Sequence, residues 1–247
     1  MCRHLAYVGA PLPLSALLFD PPHSLARQSW APRDMRGGGT INADGFGVGW
    51  FAASGPVRYR RATPLWSDTT LPALAATLHV GAALAAVRSA TTGMPVVETA
   101  AAPFGDERWL FSHNGVVAGW PDSVAKLAAA LPTADLMTLE APTDAALLWA
   151  LVRHRLRAGA EPAAALAATV AEVGSAAPGS RLNLLLTDGS SIVATTAGHA
   201  LSVRRDDTGV LVSSEPLDDE PAWRPVPDRT LLTAGHTELA LTPLGEA

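Results

Sequence analysis

Cysteine and lysine are almost absent from this 247-residue chain, with Cys2 and Lys126 the only representatives. A single cysteine excludes an internal disulfide. The lack of lysine, beside heavy alanine use, reads as base-composition bias and carries no functional message. No apolar run approaches the roughly 20 residues of a membrane span. Met1-Cys2-Arg3-His4 opens without a long apolar segment, so no secretory signal is expected. The seven histidines show no HExxH or related metal spacing, and there is no GxxxxGK[ST] phosphate loop. No metal and no organic cofactor are therefore expected. The formal net charge is −5 and the basic residues are scattered, which argues against nucleic acid and anionic membrane as partners. The expectation is a soluble cytoplasmic protein; no motif encodes an oligomeric state.

What is present is an ordinary globular composition, 48% hydrophobic and 17% charged, long enough to bury a core. No repeat, linker or composition break appears, so residues 2–247 read as one domain. Leu5–Val8, Phe46–Ala52, Val57–Arg61, Ala82–Val87 and Trp109–Ser112 read as strands bounded by Gly, Pro and Asn/Asp signals. Helices are predicted from Pro121-Asp122 to about Leu131, from the N-cap Thr143 to Gly159, and over Glu161–Val173 with Gly174 as the stop. Strands return at Arg181–Thr187, Ser191–Thr196, Leu201–Arg205, Val210–Ser214, Thr230–Ala234 and Glu238–Leu241. Asp188-Gly189-Ser190 and Asp206–Gly209 mark tight turns among them. Strands, then helices, then strands fit an α+β layered fold with mostly antiparallel sheets better than alternating βαβ units.

Chemistry concentrates in a few segments. If Met1 is removed, as a small second residue favours, Cys2 carries both a thiol and a free α-amine. That amine has an ordinary pKa of roughly 7.7–8.0, so nucleophile and base are joined in one residue. A lone terminal cysteine can equally be incidental. Asn42-Ala43-Asp44-Gly45 feeds the Gly-rich strand Phe46–Trp50, whose glycines allow close packing. Arg88 follows an apolar strand and precedes Ser89-Ala90-Thr91-Thr92-Gly93; it is either a rim residue or a bidentate carboxylate clamp. His113-Asn114-Gly115 ends a strand. It is either a hairpin turn or an oxyanion hole built from the Asn114 amide and the Gly115 N–H. His113 reads as a packed structural histidine and Glu215 as a brace of a strand end. Trp30 and Trp50 are candidates for ring stacking, with core packing the commoner use. The Arg27–Arg36 stretch is either a solvated loop or one facing substrate.

Taken in order, these segments resemble the class II glutamine amidotransferases, which are N-terminal-nucleophile hydrolases. The matches are Cys2, Asn42–Gly45, Arg88–Gly93, His113–Gly115, Pro142-Thr143-Asp144 and Ser213–Leu217. The resemblance implies a four-layer αββα sandwich. It also implies Cys2 as nucleophile, Asn114 and Gly115 as oxyanion donors, Arg88 on a substrate α-carboxylate and Asp144 on its α-ammonium. Thr91 and Thr92 would add polar contacts to the same γ-glutamyl head. Family members linked to sugar and purine synthesis carry an Arg-Gly pair just before the Asp of this second motif, where this chain has Ile41-Asn42; Arg36 and Asn42 are the candidates for that task. A narrower resemblance runs through Met1–Tyr7, Asp20–Leu25, Gln28–Arg33 and Asn42–Trp50. It points to a stand-alone member that hydrolyses a γ-glutamyl conjugate. The alternative is a glutaminase subunit that feeds ammonia to a separate synthase.

Overall fold

A computed structural model describes residues 2–35, 41–236 and 238–245. In chain order the strands are β1 (Arg3–Pro13), β2 (Phe46–Ala52), β3 (Gly55–Arg61), β4 (His79–Val87), β5 (Phe104–Gly105) and β6 (Leu110–Val116). They continue with β7 (Arg181–Thr187), β8 (Ser191–Thr196), β9 (Ser202–Asp206), β10 (Gly209–Ser213), β11 (Trp223–Pro225), β12 (Thr230–Gly235) and β13 (Leu239–Pro243). They form a seven-stranded sheet, β11-β9-β10-β1-β4-β2-β3, and a six-stranded sheet, β13-β12-β8-β7-β6-β5. The strand pairings are antiparallel.

Strand alternation assigns each side chain to a layer. On β1, Ala6 and Val8, with Leu84 of β4, face the second sheet and cluster with its Leu110, Leu185 and Ile192. Leu5 and Tyr7 face outward, beneath the short helices Ser15–Leu18, Leu25–Gln28 and Leu71–Thr77. The far face of the six-stranded sheet carries Phe111, Leu182, Leu184 and Leu186 under the helices Asp144–Arg157 and Pro162–Ala176. The result is helices, sheet, sheet, helices: an α+β sandwich of four layers. None of the helices among the described residues is long and apolar enough to cross a membrane.

Most predicted elements appear close to their expected bounds, and β2, β7 and β8 match them. Thr143 caps the Asp144 helix, accepting the Ala146 N–H at 3.3 Å. One expectation is overturned, and one of two open alternatives is excluded. Gly174 does not stop its helix, which runs to Ala176. Buried Val173 and Ala177 anchor the last turn, and that packing outweighs the roughly 1 kcal/mol glycine penalty. Asn114-Gly115 is not a turn: both residues lie inside β6, paired with Asn183 and Leu182 of β7. The short helices of the first layer and Thr133–Met137 were too brief to show a period in the sequence.

Close sheet contact depends on missing side chains. A Cβ at Gly47 would stand 2.3 Å from the Ala102 carbonyl oxygen and 2.8 Å from Arg60 Cγ. The backbone oxygen cannot rotate aside. Gly47→Ala is expected to cost about 1–3 kcal/mol by overpacking, read as a lower urea midpoint at unchanged m-value.

Candidate active site

The site begins with β1 and β4. Their register pairs Arg3 with Val87, so Cys2, just before β1, arrives beside Arg88, just after β4. The Cys2 thiol is half-buried and lies 3.7 Å from the Ser89 carbonyl oxygen. The six-stranded sheet supplies Gly115 near the end of β6. The long helix supplies Asp144 at its first turn, where the helix N-terminus favours a carboxylate. An open cleft of about 470 Å³ is lined by Cys2, Arg88, Thr91, His113, Gly115 and Asp144, among others.

Arg88 is held by the Asn42–Gly45 segment. The Arg88 N–H donates to the Gly45 carbonyl at 2.8 Å, and the Asp44 N–H donates to the Arg88 carbonyl at 3.0 Å. The Asp44 carboxylate accepts the Ala90 N–H at 2.8 Å. Nη1 of Arg88 donates to the Pro95 carbonyl at 2.8 Å and to the Asp44 carbonyl at 3.4 Å. Its other guanidinium N–H groups have no protein acceptor among the described residues, so one edge of the fork is left for a ligand. Asp144 accepts the Val117 N–H at 3.0 Å and the Ala145 N–H at 2.8 Å, one on each oxygen. Each oxygen keeps a lone pair for a cation.

Gly115 is required by a close approach: a Cβ there would lie 1.9 Å from the Arg181 carbonyl oxygen. His113 Nε2 donates to that same carbonyl at 3.0 Å. This bond ties His113 to β7, in keeping with a packed structural role. Asn114 is fully buried next to the cleft wall. Its Nδ2 lies 3.4 Å from Ser214 Oγ, and its Oδ1 has no hydrogen-bond partner among the described residues.

The other predicted residues are divided between the cleft and its surroundings. Thr91 is in the cleft wall, while Thr92 lines a neighbouring opening with Val117, Trp120 and Pro142. Asn42 is buried, its N–H on the Ser29 carbonyl at 2.7 Å, and it is absent from the cleft lining. Met1, Arg36 and Gly37–Gly39 lie outside the described residues. Trp50 packs against the outer core, and Trp30 is half-exposed with the Arg27 guanidinium 3.9 Å from its ring centroid. Neither is within the cleft lining. Sequence reasoning missed Arg3, which is 2% exposed and bonded to the Cys2 carbonyl at 3.0 Å and to Glu215 at 2.8 Å. The available signal was a charged residue one place into an apolar strand, with a glutamate at the end of a later one.

Comparison with known proteins follows the same lines. Residues 14–207 match the family described as glutamine amidotransferases class-II. The chain is 44% identical over 245 residues to the gamma-glutamyl-hercynylcysteine sulfoxide hydrolase of Mycolicibacterium smegmatis, covering 99% of this chain and 100% of that protein. It is 43% identical to the protein of the same name from Mycobacterium tuberculosis, covering 100% and 98%. A glutamine aminotransferase class-II domain protein from Silicibacter pomeroyi superposes with a TM-score of 0.71 at 27% identity, over 99% of this chain and 100% of that one. The glutamine phosphoribosylpyrophosphate amidotransferase of B. subtilis shares the fold, with a TM-score of 0.67 at 12% identity over half of its length.

Two buried histidines near the site are held neutral. Burial first, then the positive fields of His113, His199 and Arg3, push the His4 pKa down to about 3. Burial first, then Arg181, brings His199 down to about 4. Arg181 Nε donates to His199 Nε2 at 3.0 Å, which requires that nitrogen to be unprotonated. Both values lie below the ordinary 6.5, so the unfolded chain binds protons that the folded chain refuses. Their contribution is intact above about pH 6.5 and is lost as pH falls toward 4 and then 3. Urea unfolding between about pH 7 and about pH 5 should show falling stability, each histidine adding a slope of up to about 1.4 kcal/mol per pH unit. His199→Gln is expected to flatten that slope; an unchanged slope would contradict the assignment.

Proposed function

The chain belongs to the class II glutamine amidotransferases, and on that footing we propose that it hydrolyses the γ-glutamyl amide of γ-glutamyl-hercynylcysteine sulfoxide. The products are glutamate and hercynylcysteine sulfoxide, and the step belongs to ergothioneine biosynthesis. One observation carries this reading. A thiol, a guanidinium with unused N–H groups and a carboxylate line a single cleft, in a chain that matches its named relatives end to end.

The γ-glutamyl head is an α-amino acid with a side-chain amide. Arg88 binds its α-carboxylate with paired hydrogen bonds, and Asp144 binds its α-ammonium. Thr91, in the cleft wall, adds a polar contact to the head, whereas Thr92 lines the neighbouring opening. With Met1 removed, the Cys2 α-amine takes the thiol proton and the thiolate attacks the δ-carbonyl carbon. Charge develops on the carbonyl oxygen. The Asn114 amide and the Gly115 N–H stabilise it, one such donor typically contributing about 3–4 kcal/mol. The tetrahedral intermediate collapses to a γ-glutamyl thioester, and the Cys2 ammonium returns the proton to the leaving amine. Water then attacks the thioester, releasing glutamate and restoring the thiol. Every group in this sequence is a side chain or backbone of residues 2–247, which we read as one domain. We place the enzyme in the cytoplasm, where a catalytic thiol stays reduced.

The leaving group separates this reading from a glutaminase. Glutamine offers only ammonia beyond the scissile bond, whereas the conjugate offers a bulky imidazole-bearing amine. Contacts to that remote part orient the amide in the transition state. Purified protein, shown by intact mass to have lost one methionine, is incubated with glutamine and with the conjugate in parallel. Glutamate release should favour the conjugate by at least about a hundredfold in kcat/KM, equivalent to about 2.7 kcal/mol. Cys2→Ala is the inactive control. Equal kcat/KM for both would instead identify an ammonia-supplying subunit.

Head recognition has its own test. Arg88→Lys keeps the charge and loses the planar fork. KM should rise at least about tenfold for any γ-glutamyl substrate. A KM near that of the unaltered protein would make Arg88 a rim residue.

A further inference from the structure

The end of β10 carries two side chains that take no part in the reaction just described, yet both are bonded to residues that do or that adjoin them. The β1–β10 ladder pairs Leu5 with Ser213. Continuing that register sets Ser214 opposite His4 and Glu215 opposite Arg3. Arg3 and Glu215 are 2% and 3% exposed. Arg3 Nε meets Glu215 Oε1 at 2.8 Å, Nη1 donates to the Cys2 carbonyl at 3.0 Å, and Nη2 donates to the Asp34 carbonyl. The second Glu215 oxygen accepts the Arg33 N–H at 2.7 Å. One buried carboxylate thus fixes one buried guanidinium, which grips the backbone of Cys2.

Ser214 does the same for Asn114. Its Oγ accepts the His4 N–H at 3.0 Å, lies 3.2 Å from the His4 carbonyl as donor, and accepts from Asn114 Nδ2 at 3.4 Å. These bonds use the hydroxyl's one proton and both lone pairs. The Asn114 amide is thereby turned so that one N–H faces Ser214 and the other remains for an oxyanion. Packing alone does not call for such groups, because a buried ion pair can often be replaced by apolar side chains without loss of stability.

We propose that the Ser214-Glu215 strand end is the positioning element of this site. Glu215, acting through Arg3, fixes Cys2, and Ser214 fixes the Asn114 amide. The inference rests on the reading of Cys2 as nucleophile and Asn114 as oxyanion donor. Because the two residues are consecutive on one strand, the spacing between nucleophile and oxyanion donor is set by a single backbone step. An error of about 1 Å in such a spacing can cost about a hundredfold in rate.

The test uses the full chain with Met1 removed and two readouts. One is alkylation of Cys2 by iodoacetamide across a pH range, which needs no substrate. The other is kcat and KM on the conjugate. Fold is checked by circular dichroism and thermal melting. Glu215→Gln should slow alkylation at least about fivefold and lower kcat at least about tenfold. Ser214→Ala should leave alkylation within about twofold, lower kcat at least about tenfold and move KM by less than about threefold, with Ser214→Thr restoring most of kcat. Folded Glu215→Gln with unaltered alkylation and kcat, or folded Ser214→Ala with unaltered kcat, overturns the proposal. Should Glu215→Gln not fold, Arg3→Lys, which keeps the charge and loses the fork, is judged by the same alkylation criterion. Should the unaltered protein not hydrolyse the conjugate, the substrate reading fails. The alkylation of Glu215→Gln and Arg3→Lys then decides the positioning role alone, an unaltered rate overturning it.

Discussion

Strand β1 is hydrogen-bonded along both edges, to β10 on one side and β4 on the other, and the rest of the site is hung from that double pairing. A chain terminus ordinarily frays because few contacts oppose its conformational entropy. Here the second residue precedes a strand held by two ladders, and the Arg3 guanidinium bonds its carbonyl at 3.0 Å. The thiol inherits the rigidity of the sheet centre. The same ladders deliver Arg88 from β4 and Glu215 from β10, each within one or two residues of its strand end.

Electrostatics follow from where those strands end. The space between the sheets is filled by Ala6, Val8, Leu84, Leu185 and similar residues, a medium that penalises unpaired charge. Groups that enter it are therefore paired or neutral. His4 is neutral and bonded through Nδ1 to Ser112 at 3.2 Å; Arg3 and Glu215 are paired. Toward the cleft the rule relaxes. Arg88 keeps an unused edge, and Asp144 keeps lone pairs beyond its two backbone bonds. Those unsatisfied capacities have opposite charge and match the two ends of an α-amino acid head.

The groups that line the cleft thus come from two different layers. The seven-stranded sheet contributes the thiol and the guanidinium. The six-stranded sheet and its helices contribute Gly115 and Asp144. Neither layer holds all of these groups, so the cleft depends on how closely the sheets approach. Gly49 on β2 permits that approach, since a Cβ there would stand 2.8 Å from Leu110 Cδ1 of β6, while Gly115 lets β6 lie close to Arg181 of β7 within its own sheet.

Local physics was readable from the chain alone. Alternating apolar runs located β2, β7 and β8, and a threonine cap located the Asp144 helix; Cys2, Arg88, Gly115 and Asp144, named through the family resemblance, line one cleft. Periodicity and capping act over a few residues, so they leave their mark in the order of the letters. What the tertiary structure alone decided depends on contacts between distant segments. Asn114-Gly115, a turn signal in isolation, became strand because β7 offered a full ladder of partners. Gly174 stayed helical because Val173 and Ala177 were buried on both sides of it. Thr92 fell into the opening beside the cleft. Arg3 and Glu215, separated by most of the chain, became one buried pair because β1 and β10 are adjacent. Pairing across such separations is fixed by sheet register, and register is a property of the folded layers rather than of any local run of residues.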